Sequence, residues 1–370
     1  MITSLIYEPT PSPINMNILK TTLLLFLLSI GIKGYSQEYQ QQTGPFDSNR
    51  PDGQAPLGIL TDQVRGKGQW MIAYSYLNLM NSGNQSAISN ISNDAAFQNY
   101  AAVPQTMMMQ SHQLTVMYGF SDRLTFMAQG SYNFNSMTLN MDPTLETQQA
   151  TGAASPPSSI SSSSSGLGDT KITALYKIID IKPARLIAGF GLSIPTGSIE
   201  QKTNNVAGDT VKSSYVMQNG TGSVSIMPSV TYLGQNDYVS WGIVLNANIQ
   251  TGSNTEGYEW GNQYKANVWL AYKFSPNMSV SLRAEGSTTG PIRGYDTGIA
   301  SLSANDPTAN TINYGGNVIY GYAGLNFYVP SGPLKNFRVA LEYGMPVYQN
   351  LNGTQMTQTM SLNAGIRYSF

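Results

Sequence analysis

From Trp70 onward the chain alternates polar and apolar side chains at almost every step, in segments of about ten to fourteen residues separated by turn-rich stretches. The ending is the clearest case. Thr357, Thr359, Ser361, Asn363, Gly365, Arg367 and Ser369 share one parity, and Gln358, Met360, Leu362, Ala364, Ile366, Tyr368 and Phe370 share the other. Successive side chains of a strand point to opposite faces, so one face suits water and the other suits an apolar medium. Over 238–250 the apolar parity is Val239, Trp241, Ile243, Leu245, Ala247 and Ile249, and over 263–274 it is Tyr264, Ala266, Val268, Leu270, Tyr272 and Phe274. About twelve such strands can be counted. Short connections (120–123, 180–183, 234–237, 275–277, 330–336) alternate with longer ones near 81–106, 141–167, 198–214, 251–260, 290–314 and 350–356, which are rich in Asn, Ser, Thr, Gly and Pro.

The placement of charge separates a membrane barrel from a soluble sandwich. Lys171, Lys177, Arg283, Glu285, Arg338, Glu342 and Arg367 all fall on the polar parity, and a charge facing lipid at the midplane costs roughly 2–4 kcal/mol. The pattern predicts an all-β, transmembrane, antiparallel up-and-down β-barrel of about 12 strands, with short periplasmic turns and long extracellular loops. Trp70, Tyr118, Phe120, Tyr232, Tyr272, Phe274 and Phe327 are placed for the periplasmic headgroup girdle. A terminal aromatic, Phe370, closing such a strand resembles the assembly signal of bacterial outer-membrane proteins. It implies outer-membrane lipid and the barrel-assembly machinery as partners.

Composition sharpens this picture. Charged residues are 11% of 370 and the mean hydropathy is −0.19, too polar for a helical membrane bundle. The one long apolar run, 18–32, ends before Gly34-Tyr35-Ser36 and reads as a secretory signal, with Met16 as the start and cleavage after Ser36. The expected organisation is 1–36 as extension plus signal, 37–67 as periplasmic tail or lumen plug, and 68–370 as the barrel, exported to the outer membrane of a Gram-negative-type bacterium. The low-complexity stretch 151–168 is expected to be an external loop. No Cys, a net charge of −1 and a pI near 5.9 give no thiolate metal site, no disulfides and no case for nucleic acid.

Candidate chemistry is sparse. Nine of the 17 Met lie between Met71 and Met141, and six share the inner parity: Met71, Met107, Met109, Met117, Met127 and Met137. They read either as adaptable lining of a hydrophobic passage or as soft donors for monovalent copper. His112 is the sole histidine, and Ser111 beside it points to the opposite face, so no Ser-His dyad of an outer-membrane phospholipase can form. Nothing indicates an enzyme, and no cofactor is expected. The inward charges Arg283, Glu285, Arg338 and Glu342 stand close enough on their strands for mutual pairing to be the cheaper explanation, with solute selection the alternative.

The stretch 104–127, with Met109–x–x–His112, the strand end Met117-Tyr118-Gly119 and the turn Ser121-Asp122-Arg123-Leu124-Thr125, resembles the family of outer-membrane proteins assigned to transport in the meta-pathway of phenol degradation. Residues 58–76 upstream, and more weakly Gly191–x–x–Ile194-Pro195-Thr196-Gly197, extend the resemblance. Members often carry a Gly-Asp-His–x–His segment before the first strand; this chain has Thr61-Asp62-Gln63-Val64-Arg65, which removes imidazole ligands. The resemblance implies an outer-membrane channel or transporter for small, hydrophobic or aromatic compounds. The alternatives are a copper-handling barrel using the Met cluster and a closed structural or adhesive barrel.

Overall fold

Strands form where the alternation runs. In the computed structural model they are β1 (Trp70–Ala87), β2 (Ala102–Gly119), β3 (Leu124–Met141), β4 (Ser159–Leu167), β5 (Thr170–Ile181), β6 (Ala184–Ile194), β7 (Ser225–Gln235), β8 (Val239–Gln250), β9 (Gln263–Lys273), β10 (Met278–Thr289), β11 (Gly316–Tyr328) and β12 (Arg338–Ser369). The structure describes residues 46–144, 158–181, 183–204, 209–303 and 305–370. The expected signal segment, Met16, residues 37–45 and 151–157 lie outside the described residues. Among those described, no helix is long and apolar enough to cross a membrane.

Eleven of these strands close into a ring in which every neighbouring pair is antiparallel, and β4 and the short Ser89–Ile91 attach outside it. Closure comes from β12 pairing with β1, in the register Met71↔Ser369, Ile72↔Tyr368 and Ala73↔Arg367. Trp70 and Phe370 also exchange backbone hydrogen bonds of 2.8 and 3.0 Å. A ring of alternating directions needs an even number of staves. The odd count is resolved by β12, which pairs with β11 from Arg338 to Leu351 and with β1 from Leu351 to Ser369. It must therefore double back near residues 351–354, where Gly353 adopts a φ of 57° that a side chain would strain. Counted as two staves, β12 brings the ring close to the expected number. Closure leaves no open sheet edge around the ring, which is what makes strands tolerable in hydrocarbon.

The outer face is the apolar parity: Leu114, Leu245, Leu270 and Leu282 are all more than half exposed. On the same strands Thr115, Val244, Trp269 and Arg283 are buried inside. Trp70, Phe120, Tyr232, Tyr272, Phe274 and Phe327 also face outward, and Tyr118 packs on Trp70 with ring centroids 4.6 Å apart. The tight connections rely on small polar side chains. Ser121 Oγ accepts from the amides of Arg123 and Leu124, Asn236 Oδ1 from Tyr238 and Val239, and Ser275 Oγ from Asn277 and Met278.

The serine-rich stretch departs from expectation. Residues 159–167 are not a loop but strand β4, continuing the β5 stave along the upper half of β3, from Tyr132↔Leu167 to Asn140↔Ser159. Ser162 and Ser164 are buried, and Ser164 Oγ accepts from Asn135 Nδ2 and donates to the carbonyl of Met217 at 2.6 Å. Serine serves here because a small hydroxyl fits beneath a loop that brings its own acceptor.

Residues 46–68 precede β1 and pack against the inner parity at the end of the ring where the tight connections lie. Phe46, Ala55 and Ile59 join a core with Leu175, Ile187, Leu233, Val244 and Trp269. The backbone is tied to the wall at several points: the amide of Phe46 donates to Asp180 Oδ1 (3.3 Å), that of Asp47 to Gln235 Oε1 (2.7 Å) and that of Arg65 to Thr125 Oγ1 (2.8 Å). Gly119 is required at the last of these crossings, because a Cβ there would collide with the carbonyl of Gly66.

Candidate functional site

The inward residues build more than a wall, and the lumen they line is layered. At the tight-turn end residues 46–68 pack against its inner wall. At the opposite end, loop residues form their own apolar cluster of Tyr215, Tyr258, Ile292, Ile299 and Ala309, with Trp260, Leu302 and Tyr314 against it. Lys212 binds these loops together through Glu200 (2.7 Å), Glu256 (3.0 Å) and Asp296 (2.6 Å). Burial works against its charge, but the hydrogen bonds to Asp296, Glu200 and Glu256 outweigh that and hold the ammonium above the usual lysine range. Sequence reasoning missed this centre because its three carboxylates come from three separate connections.

Between the two ends the inner face changes character. Lys171 pairs in register with Gln129 and Ser193, on the same parity as the buried Thr173 and Leu175, yet it is exposed. Ser75, Ser111, Asn246 and Lys265 on the same face are only partly buried, and Gln129 donates to Gln113 across neighbouring strands at 3.0 Å. An inward side chain with accessible surface borders free space, so the middle of the barrel holds a polar chamber.

The six inward methionines do not form one path. Met71, Met117 and Met127 pack together with Ala73 and against Leu60, near the tight-turn end. Met107 and Met137 belong to a second cluster with Leu139, Met217 and Met356, and Met109 packs beside it. Ten residues of β2 separate Met107 from Met117, about 33 Å of extended chain, so no single metal ion bridges the two groups. Met217 and Met356 carried no sequence signal, since one lies in a loop and the other near the reversal of β12. Replacing Met71, Met117 and Met127 together by Leu conserves most of the volume, and each change should cost under about 1.5 kcal/mol. A urea titration showing a much larger loss would mean that the thioethers do more than fill space.

The inward charges divide into a connected set and an outlier. Arg283 forks onto Glu342 (Nε–Oε1 2.9 Å, Nη2–Oε2 2.8 Å) and reaches Glu285 (3.0 Å) and Asn267 Oδ1 (2.6 Å), with its guanidinium 3.6 Å above the ring of Tyr322. Lys265 completes the set at 3.3 Å from Glu285. Arg338 does not join Glu342. It donates instead to the carbonyls of Ser48 (2.6 Å) and Arg50 (2.8 Å).

His112 lies on the outer face, its Nδ1 2.7 Å from the hydroxyl of Tyr74 and its ring between Tyr76 and Phe134. Ser111 points the other way, donating to Asn133 Oδ1 (2.8 Å). Among the described residues, no group of three or more His, Asp or Glu is arranged to hold a metal ion.

Comparison with solved structures places this architecture beside the COG4313 outer membrane channel from Pseudomonas putida F1, at 14% identity and a TM-score of 0.56, covering 83% of this chain and 97% of that one. A FadL homologue from Pseudomonas aeruginosa aligns more loosely, at 10% identity and a TM-score of 0.43, over 88% of this chain and 94% of the other. Curated proteins give no match. The matched family model covers residues 111–327, which is more than half of the chain and spans β3 to β10 with half of β2 and most of β11. This chain therefore belongs to the family described as "Putative MetA-pathway of phenol degradation".

Proposed function

We propose that this protein is an outer-membrane channel for small solutes, with hydrophobic or aromatic compounds as its favoured class, and that residues 46–68 are a plug at its periplasmic end. Lys171 carries the reading, because on the inner wall of a closed barrel, beside the buried Thr173 and Leu175, its exposed side chain borders free space. Family membership and a shared fold with an outer membrane channel support it. The aromatic preference rests on the family description and on the two methionine-lined stretches of wall, whose flexible thioethers accommodate varied apolar solutes.

In this reading the connections 120–123, 236–238 and 274–277 face the periplasm, and the loops gathered by Lys212 cap the outside. Phe370, exposed at the end of the closing strand, presents the assembly signal to the barrel-assembly machinery. No catalytic step is required of the chain, and the copper reading is the weaker one because the methionines separate into two groups.

Planar-bilayer recording and liposome uptake of small aromatics test the reading. A variant lacking residues 46–65 should conduct far more than the parent, because that segment fills the periplasmic end. If neither protein passes ions or small aromatics, the channel reading is wrong.

A further inference from the structure

Three arginines packed around residues 46–68 have a carboxylate. Arg50 pairs with Asp52 at 2.6 Å, Arg185 with Asp180 at 2.9 Å and Arg283 with Glu342 at 2.8 Å. Arg65, Arg338 and Arg367 do not. All three are buried, and among the described residues none makes an ion pair. Their acceptors are neutral: Ser369 Oγ (3.0 Å) and Gln63 Oε1 (2.6 Å) for Arg65, backbone carbonyls for Arg338, and Gln54 Oε1 (3.3 Å) and the carbonyl of Leu57 (3.1 Å) for Arg367.

Three donors are left over. The Nε atoms of Arg65 and Arg367 and Nε2 of Gln63 are buried with no hydrogen-bond partner. Arg65 and Arg338 line a polar cavity of about 70 Å³ together with Gln54 and Ser369, and Arg338 and Arg367 share a smaller hollow beside it, also bordered by Gln54. Asp62 is the nearby carboxylate of this segment. Its Oδ2 accepts from the amide of Ala55 at 2.8 Å and its buried Oδ1 has no hydrogen-bond partner, so its charge offsets part of that of Arg367 and Arg65 from a distance, without an ion pair to any of the three. The carboxy-terminal Phe370 borders the larger cavity, likewise without an ion pair.

Burying one unpaired charge is expensive, and burying three in one neighbourhood more so. Water in the cavity would leave the charge of Arg65 and Arg338, whereas an anion there offsets it, and the planar guanidinium fork matches oxyanion geometry in particular. One water needs roughly 10–15 Å³, so a cavity several times that size has room for a carboxylate or phosphate group.

We infer that this cavity is a binding site for a small oxyanion, either inorganic phosphate or the carboxylate of an organic solute, held between residues 46–68 and the last strand. Because Arg65 comes from the segment while Arg338 comes from the wall, a bound anion would also tie the segment in place. The inference stands apart from conduction, since binding is measured without transport.

Calorimetric titration of the purified barrel in detergent at low ionic strength, with inorganic phosphate and separately with benzoate, tests it. Saturable one-site binding of at least one is expected; phosphate alone identifies an inorganic ligand, and benzoate identifies the carboxylate of an aromatic solute. Arg65→Gln should weaken that binding at least about tenfold, the scale of one charged hydrogen bond. Lys335→Gln, on an exposed turn, should leave it unchanged. Because Arg65→Gln could loosen the segment, parent crystals soaked in selenate supply a second reading, with an anomalous peak expected between Arg65 and Arg338. Absence of saturable heat with both anions, unchanged affinity in the Arg65 variant, or selenate found only elsewhere (an adventitious ion only) would overturn the site.

Discussion

Glu342→Leu should destabilise the barrel by about 3–5 kcal/mol, the usual cost of stripping one partner from a buried ion pair. Arg283 and Glu342 have side chains 2% and 1% exposed, joined by two parallel hydrogen bonds. With Glu342 gone, the guanidinium keeps only Glu285 and Asn267 on its other nitrogen and remains enclosed against Tyr322. The double variant Arg283→Met, Glu342→Leu should recover most of the loss, because a buried pair replaced by well-packed apolar groups is often close to neutral. Urea unfolding in lipid vesicles measures both. A single variant as stable as the parent would mean that solvent reaches this pair.

Leu245→Arg should cost roughly 2–4 kcal/mol, whereas Asn246→Arg should be mild. The two are adjacent on β8, and the difference is entirely one of face. Leu245 pairs with Val230 and Ala266 and lies 53% exposed on the outer surface, so arginine there faces hydrocarbon. Asn246 pairs with Ser229 and Lys265 and faces the chamber, where water can hydrate the added charge. Heat-modifiable mobility and folding yield read the effect directly. Equal tolerance at both positions would show the strand displaced by one residue, since a one-residue slip exchanges the faces.

These two expectations draw on different sources. The Leu245 and Asn246 contrast was legible from alternation alone, because strand periodicity assigns a face without knowledge of any partner. The Arg283–Glu285 contact was also legible, being two residues apart on one strand. Arg283–Glu342 was not, since it joins β10 to β12 around the barrel, and the spacing of Arg338 and Glu342 suggested a pairing that does not form. Arg338 is diverted by carbonyls of residues 48–51, which no local pattern places beside it.

The sequence by itself determined the closed antiparallel barrel, the lipid-facing parity and the inward direction of the six methionines. Each follows from a period of two combined with the cost of placing charge in hydrocarbon. Tertiary structure decided everything that depends on what meets inside the ring. It turned residues 159–167 into a strand, divided the methionines between two ends, gathered Glu200, Glu256 and Asp296 on Lys212, and packed residues 46–68 against the inner wall. The physical reason is that alternation fixes which way a side chain points, whereas contacts across a lumen join residues far apart in the chain, through segments with no period of their own.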